Sequence, residues 1–272
     1  MQSDAMDITA RLIEFALGPH QPPQAVRQIV QLSAVDWAAC GIAGVADGAF
    51  DRWARQQGGT GTAGTFAGRC LGEAEAALVN GTLSHALDFD DTHFAHIGHP
   101  SVVMFPAVMA LAPKDWDSME RAVLVGIEAQ IRIGLWLGRD HYQRGFHQTA
   151  TAGALGACVG LITLRGLEPD RAAAALGLCA TMASGLKAQF GTMGKPLNAG
   201  LAARAAVEAV RWAEGGMTGP PDGIEAFGAA HGAAFDVTAL DGLGVQWHIE
   251  TLSHKFHACC HGLHATLEAL RS

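Results

Sequence analysis

The stretch whose reading decides the fold is Leu78-Val-Asn-Gly-Thr-Leu-Ser-His-Ala-Leu-Asp-Phe-Asp-Asp-Thr-His-Phe-Ala-His-Ile-Gly-His-Pro-Ser-Val-Val-Met-Phe-Pro106. Small and apolar residues lead into it, and a second apolar run leaves it after Pro100. Between them stand Asp88, Asp90, Asp91, Thr92, His93, His96 and His99. So many proton-carrying and hydrogen-bonding side chains, bracketed by core-forming sequence, point to a site held between two packed helices.

Working outward, the periodicity is helical almost throughout. Met6 to Leu17 places Ile8, Leu12, Phe15 and Ala16 on one face and stops at Gly18. Gln24 to Val45 repeats Val26, Ile29, Val30, Ala34, Trp37 and Ala38 at helical spacing. Gly48 to Gln57 reads as a short helix with Asp47 as its N-cap, and Gly58 to Gly68 as a loop or short extended piece. Glu73 to Leu87 is the helix that delivers the Asp/His segment, and Ser101 to Leu111 the one that leaves it. Ser118 to Leu137 is predicted as a long helix with alternating charge on its outer face. His147 to Leu164, Pro169 to Ala183 and the alanine-rich Asn198 to Gly215 follow; alanine favours helix and lets neighbouring backbones approach closely. Gly216 to Leu243 reads as loop, Val245 to Lys255 as the start of a short strand, and His257 to Leu270 as a closing helix. Extended segments are scarce, so the fold class is all-α, a large helical bundle.

The chain has 272 residues, 49% of them hydrophobic, and only 16% charged, against about 25% in a typical soluble domain. So little charge leaves apolar surface for a partner subunit to cover. A net charge of −8 and the lack of any basic stripe argue against nucleic acid. Cys40, Cys70, Cys158 and Cys179 stand singly in Ala/Gly/Leu-rich text, as buried free thiols do, so a reducing cytoplasm is the expected compartment. The longest apolar run, Thr149 to Leu164, is too short for a membrane span; no membrane partner is expected.

Four clusters carry the chemistry. In the first, the three aspartates serve either as helix-end caps or as site carboxylates; His93, His96 and His99 at three-residue steps are a possible metal set, which Gly98 and Pro100 interrupt. In the second, Gly145-Phe-His-Gln-Thr-Ala-Thr151, His147 precedes a long buried helix whose positive end suits an anion. The third, Lys187 to Asn198, sets Lys195 in a nearly uncharged neighbourhood and is not a P-loop, because Pro196 breaks the required order. The fourth, Ser253 to His264, holds four His and two Cys; with His257, His261 and His264 on one helical face, it reads as acid/base or anion-binding equipment or as a metal site.

In this order and at these separations the clusters resemble the MmgE/PrpD family of 2-methylcitrate dehydratases, cis-aconitate decarboxylases and iminodisuccinate epimerases. The matching text is Asn80-Gly81, His85-Ala-Leu-Asp-Phe-Asp-Asp-Thr92, Gly98-His-Pro-Ser101, Gly145-Phe-His147, Gly191-Thr-Met-Gly-Lys-Pro196, and Lys255 with Cys260 and His264. The resemblance implies a homodimer with a helical domain, here 1–244, followed by an α+β lid, of which 245–272 is the beginning. It also implies a cofactor-free pocket for di- or tricarboxylates. Asp88, Thr92, His99, His147, Lys195 and Lys255 match the family's pocket residues and His264 a recurring position, while Cys260 and Asn198 stand where some members carry His. Members are usually longer, so a fragment, a truncated homologue or a separate lid polypeptide is expected.

The expected reaction is removal of water from a 2-methylcitrate-like hydroxy acid. Lys195 and Lys255, helped by Thr92, hold carboxylates and so stabilise a carbanion-like transition state. His99 is the main acid/base, Asp88 its orienter or a second proton carrier, and His147 the other proton-transfer candidate. Decarboxylation and epimerisation need the same groups. A non-catalytic carboxylate-binding subunit and a metal-dependent hydrolase or lyase are the readings from other classes.

Overall fold

The computed structural model describes residues 7–231 and 235–271; Met6, where the sequence starts its first helix, lies outside them, as does 232–234 in the predicted loop. Eleven α-helices fall within the described residues: α1 (Ile8–Leu17), α2 (Gln24–Asp47), α3 (Asp51–Gln56), α4 (Glu73–Ser84), α5 (Ser101–Ala110), α6 (Trp116–Gln143), α7 (Gln148–Arg165), α8 (Pro169–Met182), α9 (Gly194–Glu214), α10 (Gly223–His231) and α11 (His264–Ala269). The described strands are β1 (Ala63–Gly64) and β2 (Cys70–Leu71), an antiparallel pair. Asn80 on α4 fastens this hairpin, accepting from the Phe66 N–H and donating to the Gly64 carbonyl. The fold is all-α.

Helix α7 is the centre, with every residue from Gln148 to Ile162 buried. It packs against α6 and α9, and α4 packs on α9. Small residues make these approaches possible: a Cβ on Gly81 of α4 would lie 2.8 Å from the Cα of Gly200 on α9. The run Thr149 to Leu164 is therefore a core helix. The one described helix long and apolar enough to cross a membrane is α2, whose Leu32, Val35 and Ile42 are exposed.

Several sequence expectations are corrected. Asp47 is the last residue of α2, not the cap of α3, because Gly48 takes the left-handed conformation (φ 78°) that ends the helix there. The charges of α6 are not all on an outer face: Glu120, Glu128 and Arg132 are buried. Arg132 donates to Glu128 at 2.7 Å and to the carbonyls of Ala239, Asp241 and Gln246, while Glu128 accepts from the His248 and Ile249 N–H groups. This satisfied pair fastens the segment after α10 to the bundle. The predicted strand over Val245–Lys255 is instead a 3₁₀ turn at His248–Thr251, followed by a single bridge between Thr92 and Ser253. The predicted closing helix is broken: a 3₁₀ turn at His261–Leu263 precedes α11, and His257 is not helical. Within the predicted loop, Gly223 to His231 forms α10. Finally, α9 begins at Gly194 rather than Asn198, since Pro196 in the first turn needs no N–H partner.

Candidate active site

Three helix beginnings meet at one cavity of about 330 Å³. His99 lies just before α5, His147 is the N-cap residue of α7, and Lys195 sits in the first turn of α9. All three line the cavity, with Asp88, Thr92, Thr149, Phe190, Cys260 and His261. Unpaired N–H groups and the helix dipole make such ends favourable to negative charge. Local pairings hold them in place. The His99 N–H donates to Thr149 Oγ1 at 3.1 Å. The His147 N–H donates to the Gly185 carbonyl at 3.0 Å and Lys187 N–H to Gly145 at 2.8 Å. Thr92 and Ser253 exchange backbone hydrogen bonds at 2.9 and 2.8 Å, which carries Lys255 to the Asp88 loop.

Asp88 adopts φ 56°, a left-handed conformation uncommon outside glycine. Its carboxylate meets Lys195 Nζ at 3.0 Å and Lys255 Nζ at 3.1 Å, and its carbonyl also accepts from Lys255. Asp90 is fully buried; the His85 Nδ1–H donates to it at 2.9 Å, and His99 Nδ1 lies 2.9 Å from its other oxygen. His99 Nε2 is 3.5 Å from Asp88. The His85 ring stands edge-on to His99, with centroids 4.7 Å apart, and stacks against His147 at 6.1 Å. Asp91 takes the structural role: it accepts from Ser33, from the Ser101 hydroxyl and from the Ser101 N–H at the start of α5.

Burial opposes charge on Asp88, but His99, His85 and Lys195 outweigh it and hold the carboxyl down at about 2. Asp90 is likewise desolvated, yet the two imidazoles hold it well below the carboxylate range. Desolvation keeps His147 well below the usual imidazole value, reinforced by His85, His99 and Lys195, and also lowers His85 against the pull of Asp90. Asp88, Lys195 and a group of imidazoles thus line one recess, with Asp90, His85 and Lys255 packed behind them.

Of the residues nominated from sequence, Asp88, Thr92, His99, His147, Lys195 and Cys260 line the cavity. Lys255 stands behind them on Asp88, its side chain 1% exposed. His264 is not in the cavity: it is buried behind His261, ring centroids 4.5 Å apart, and His261 lines the wall and pairs with Thr92. The break between His257 and α11 causes this, since the expected shared helical face does not form. Asp88 is also not the nearest partner of His99; Asp90 is. His85, Asn198 and His261 are given no individual role from the sequence, and Asp90 only the shared one of a cap or site carboxylate. The crowding of Asp90 beside Asp88, and the departure from His at Asn198, were the available signals.

Among the described residues, neither His93, His96 and His99 nor the three C-terminal histidines converge as metal ligands. The group that does is His85, Asp88, Asp90 and His99, with donor atoms within 4.8 Å of one another. Asp88 is already spanned by two ammoniums and Asp90 by two imidazoles, so the group reads as an ion-paired cluster.

The MmgE/PrpD N-terminal domain model matches residues 14–237. The cis-aconitate decarboxylase of Aspergillus terreus is 30% identical over 226 residues, covering 75% of this chain and 46% of its own length. The cis-aconitate decarboxylase-like protein oryM of Aspergillus oryzae is 28% identical over 300 residues, covering 97% and 61%. The cis-aconitate decarboxylase of Homo sapiens is 33% identical over 153 residues, covering 53% and 31%. The chain spans about half the length of the curated relatives it matches.

Proposed function

The chain belongs to the MmgE/PrpD family, and from that premise we propose that its cavity binds a tricarboxylate of the cis-aconitate kind and removes one carboxylate as carbon dioxide. The observation that carries this is the placement of Lys195 and Lys255 on Asp88, beside His99 and at three helix starts. The relatives' names favour decarboxylation over dehydration of a 2-methylcitrate-like hydroxy acid, which would use the same groups.

Loss of carbon dioxide from an allylic carboxylate breaks one carbon–carbon bond and moves the double bond by one carbon. The far carbon then takes up one proton. Lys195, the more accessible of the two lysines, exchanges Asp88 for a substrate carboxylate, and the start of α7 receives another. Thr92 and His261 complete the wall. His99 or His147 supplies the proton; a positioned acid of this kind contributes about 10²–10⁴-fold. Excluding water strengthens each of these charge interactions.

The test is calorimetry of the purified chain with cis-aconitate, citrate and succinate. The tricarboxylates bind and Lys195→Ala weakens them at least tenfold; indifference to that substitution overturns the reading. Two companion proposals rest on exposed apolar surface. Leu32, Val35 and Ile42 of α2 form a subunit interface in a homodimer, checked by light scattering of the chain and of Val35→Glu. Phe94, 62% exposed on the cavity wall, and Phe256, 70% exposed against His264, receive a covering polypeptide.

A further inference from the structure

Asn198 projects from α9 to the back of His147, where its side-chain amide nitrogen lies 3.2 Å from His147 Nδ1 and 3.3 Å from the Leu186 carbonyl. A carbonyl oxygen only accepts, so the amide atom beside Leu186 is the NH₂ group and not the oxygen. The same NH₂ group presents its second hydrogen to His147 Nδ1. That nitrogen must then be the acceptor, and the proton of the neutral ring resides on Nε2.

The frame leaves little room for another arrangement. The strand-like pairing of Phe146 with Leu186 fixes the His147 backbone and the Leu186 carbonyl relative to each other. Asn198 and His147 are both buried. Gly185 makes the contact possible: at φ 144° it carries no Cβ where one would lie 2.6 Å from the Ala150 side chain. The ring is neighboured by His85, His99, Lys195 and Asp88, none of which bonds Nδ1.

We propose that Asn198 is a positioning residue that holds His147 as its Nε2–H tautomer, making His147 a neutral hydrogen-bond donor to the charge that develops on the cavity occupant. This rests on the proposed decarboxylation and deepens it by dividing the labour: His147 presents an N–H to the cavity occupant, while His99, whose Nδ1 lies against Asp90, presents Nε2 on the Asp88 side. The proton taken up by the far carbon then comes from His99, to which solvent returns it after product leaves, while the Nε2–H of His147 stays on its ring and stabilises the anion left by carbon dioxide loss.

The experiment is nitrogen NMR of the full chain labelled with ¹⁵N-histidine, without substrate, with His147→Phe identifying the signal. The expected result is a pyridine-type Nδ1 and a pyrrole-type Nε2. A pyrrole-type Nδ1 overturns the proposal. Asn198→Asp replaces the donor by an acceptor, so the ring gains a proton on Nδ1; an unchanged spectrum in that variant also overturns it. Asn198→Ser, smaller and uncharged, serves if the aspartate variant fails to fold, with loss of the single-tautomer signature expected. Because the tautomer is read without substrate, its outcome is separate from whether cis-aconitate is turned over. In turnover, Asn198→Asp lowers kcat at least tenfold with KM within about threefold.

Discussion

Asp90 lies 2.9 Å from Nδ1 of His99, whereas Asp88 is 3.5 Å from that ring and is instead occupied by two lysine ammoniums. The two carboxylates, two positions apart in sequence, therefore do different work. Asp90 orients imidazoles and Asp88 balances the cations that a substrate must engage. Asp90→Asn removes the charged acceptor of His85 and the carboxylate charge 2.9 Å from His99 Nδ1, so kcat falls by about 10²-fold with little change in KM, in line with the worth of a positioned acid/base. Asp88→Asn leaves Lys195 and Lys255 without a counter-charge and tightens tricarboxylate binding in calorimetry. The reverse pattern would return Asp88 to the role of orienter.

Acid weakens the fold before it reaches the carboxylates. Burial lowers His93 and His141 to about 4, and lowers His85, His96 and His147 as well. Groups with depressed folded-state values contribute stability that is fully present above their unfolded value of about 6.5 and is lost as pH falls toward the folded values. Urea midpoints therefore fall between pH 6.5 and 4. Asp88, held at about 2, adds a further loss below pH 4. A flat midpoint from pH 7 to 4 would contradict the buried neutral histidines.

Asp36 runs the other way. Burial, then Asp91 and Asp90, raise its carboxyl to about 7, although it accepts from the Asp91 N–H at 3.0 Å. Its raised value means stability present below about pH 4 and lost as pH rises through 7. Asp36→Asn keeps an acceptor for Asp91 without the charge. At pH 8 it stabilises by on the order of 1–2 kcal/mol, after allowance for solvent screening, and below pH 4 the difference vanishes. Thermal melts at the two pH values check this.

The Arg132–Glu128 pair is buried with its donors and acceptors engaged. Arg132→Leu strands a carboxylate in the core and releases the segment that carries Lys255, at a cost of about 3–5 kcal/mol. Gly200→Ala places a methyl against the Leu78 carbonyl at the α4–α9 crossing and costs about 1–3 kcal/mol by overpacking. Urea denaturation measures both.

Helix existence was legible because apolar periodicity and small-residue runs are local properties; α4, α5, α7 and α8 lie within three residues of their expected ends. Positions decided by tertiary contacts were not. Nothing local says that Glu128 and Arg132 turn inward, since their partners are backbone groups more than a hundred residues away. Likewise, the cavity-lining six were visible as residue types in ordered clusters, whereas the exchange of His264 for His261 depends on the non-helical backbone between His257 and the turn at His261–Leu263. The Asn198 contact depends on the Phe146–Leu186 pairing, which no motif announces.

Incubation of the metal-stripped chain with cis-aconitate in heavy water, followed by proton NMR, tests the central claim most directly. The account predicts loss of the vinyl signal of the substrate, carbon dioxide release in equal amount, one deuterium in the unsaturated dicarboxylate product, and abolition by His99→Ala. Binding of cis-aconitate without any turnover, or turnover unaffected by His99→Ala, would contradict it.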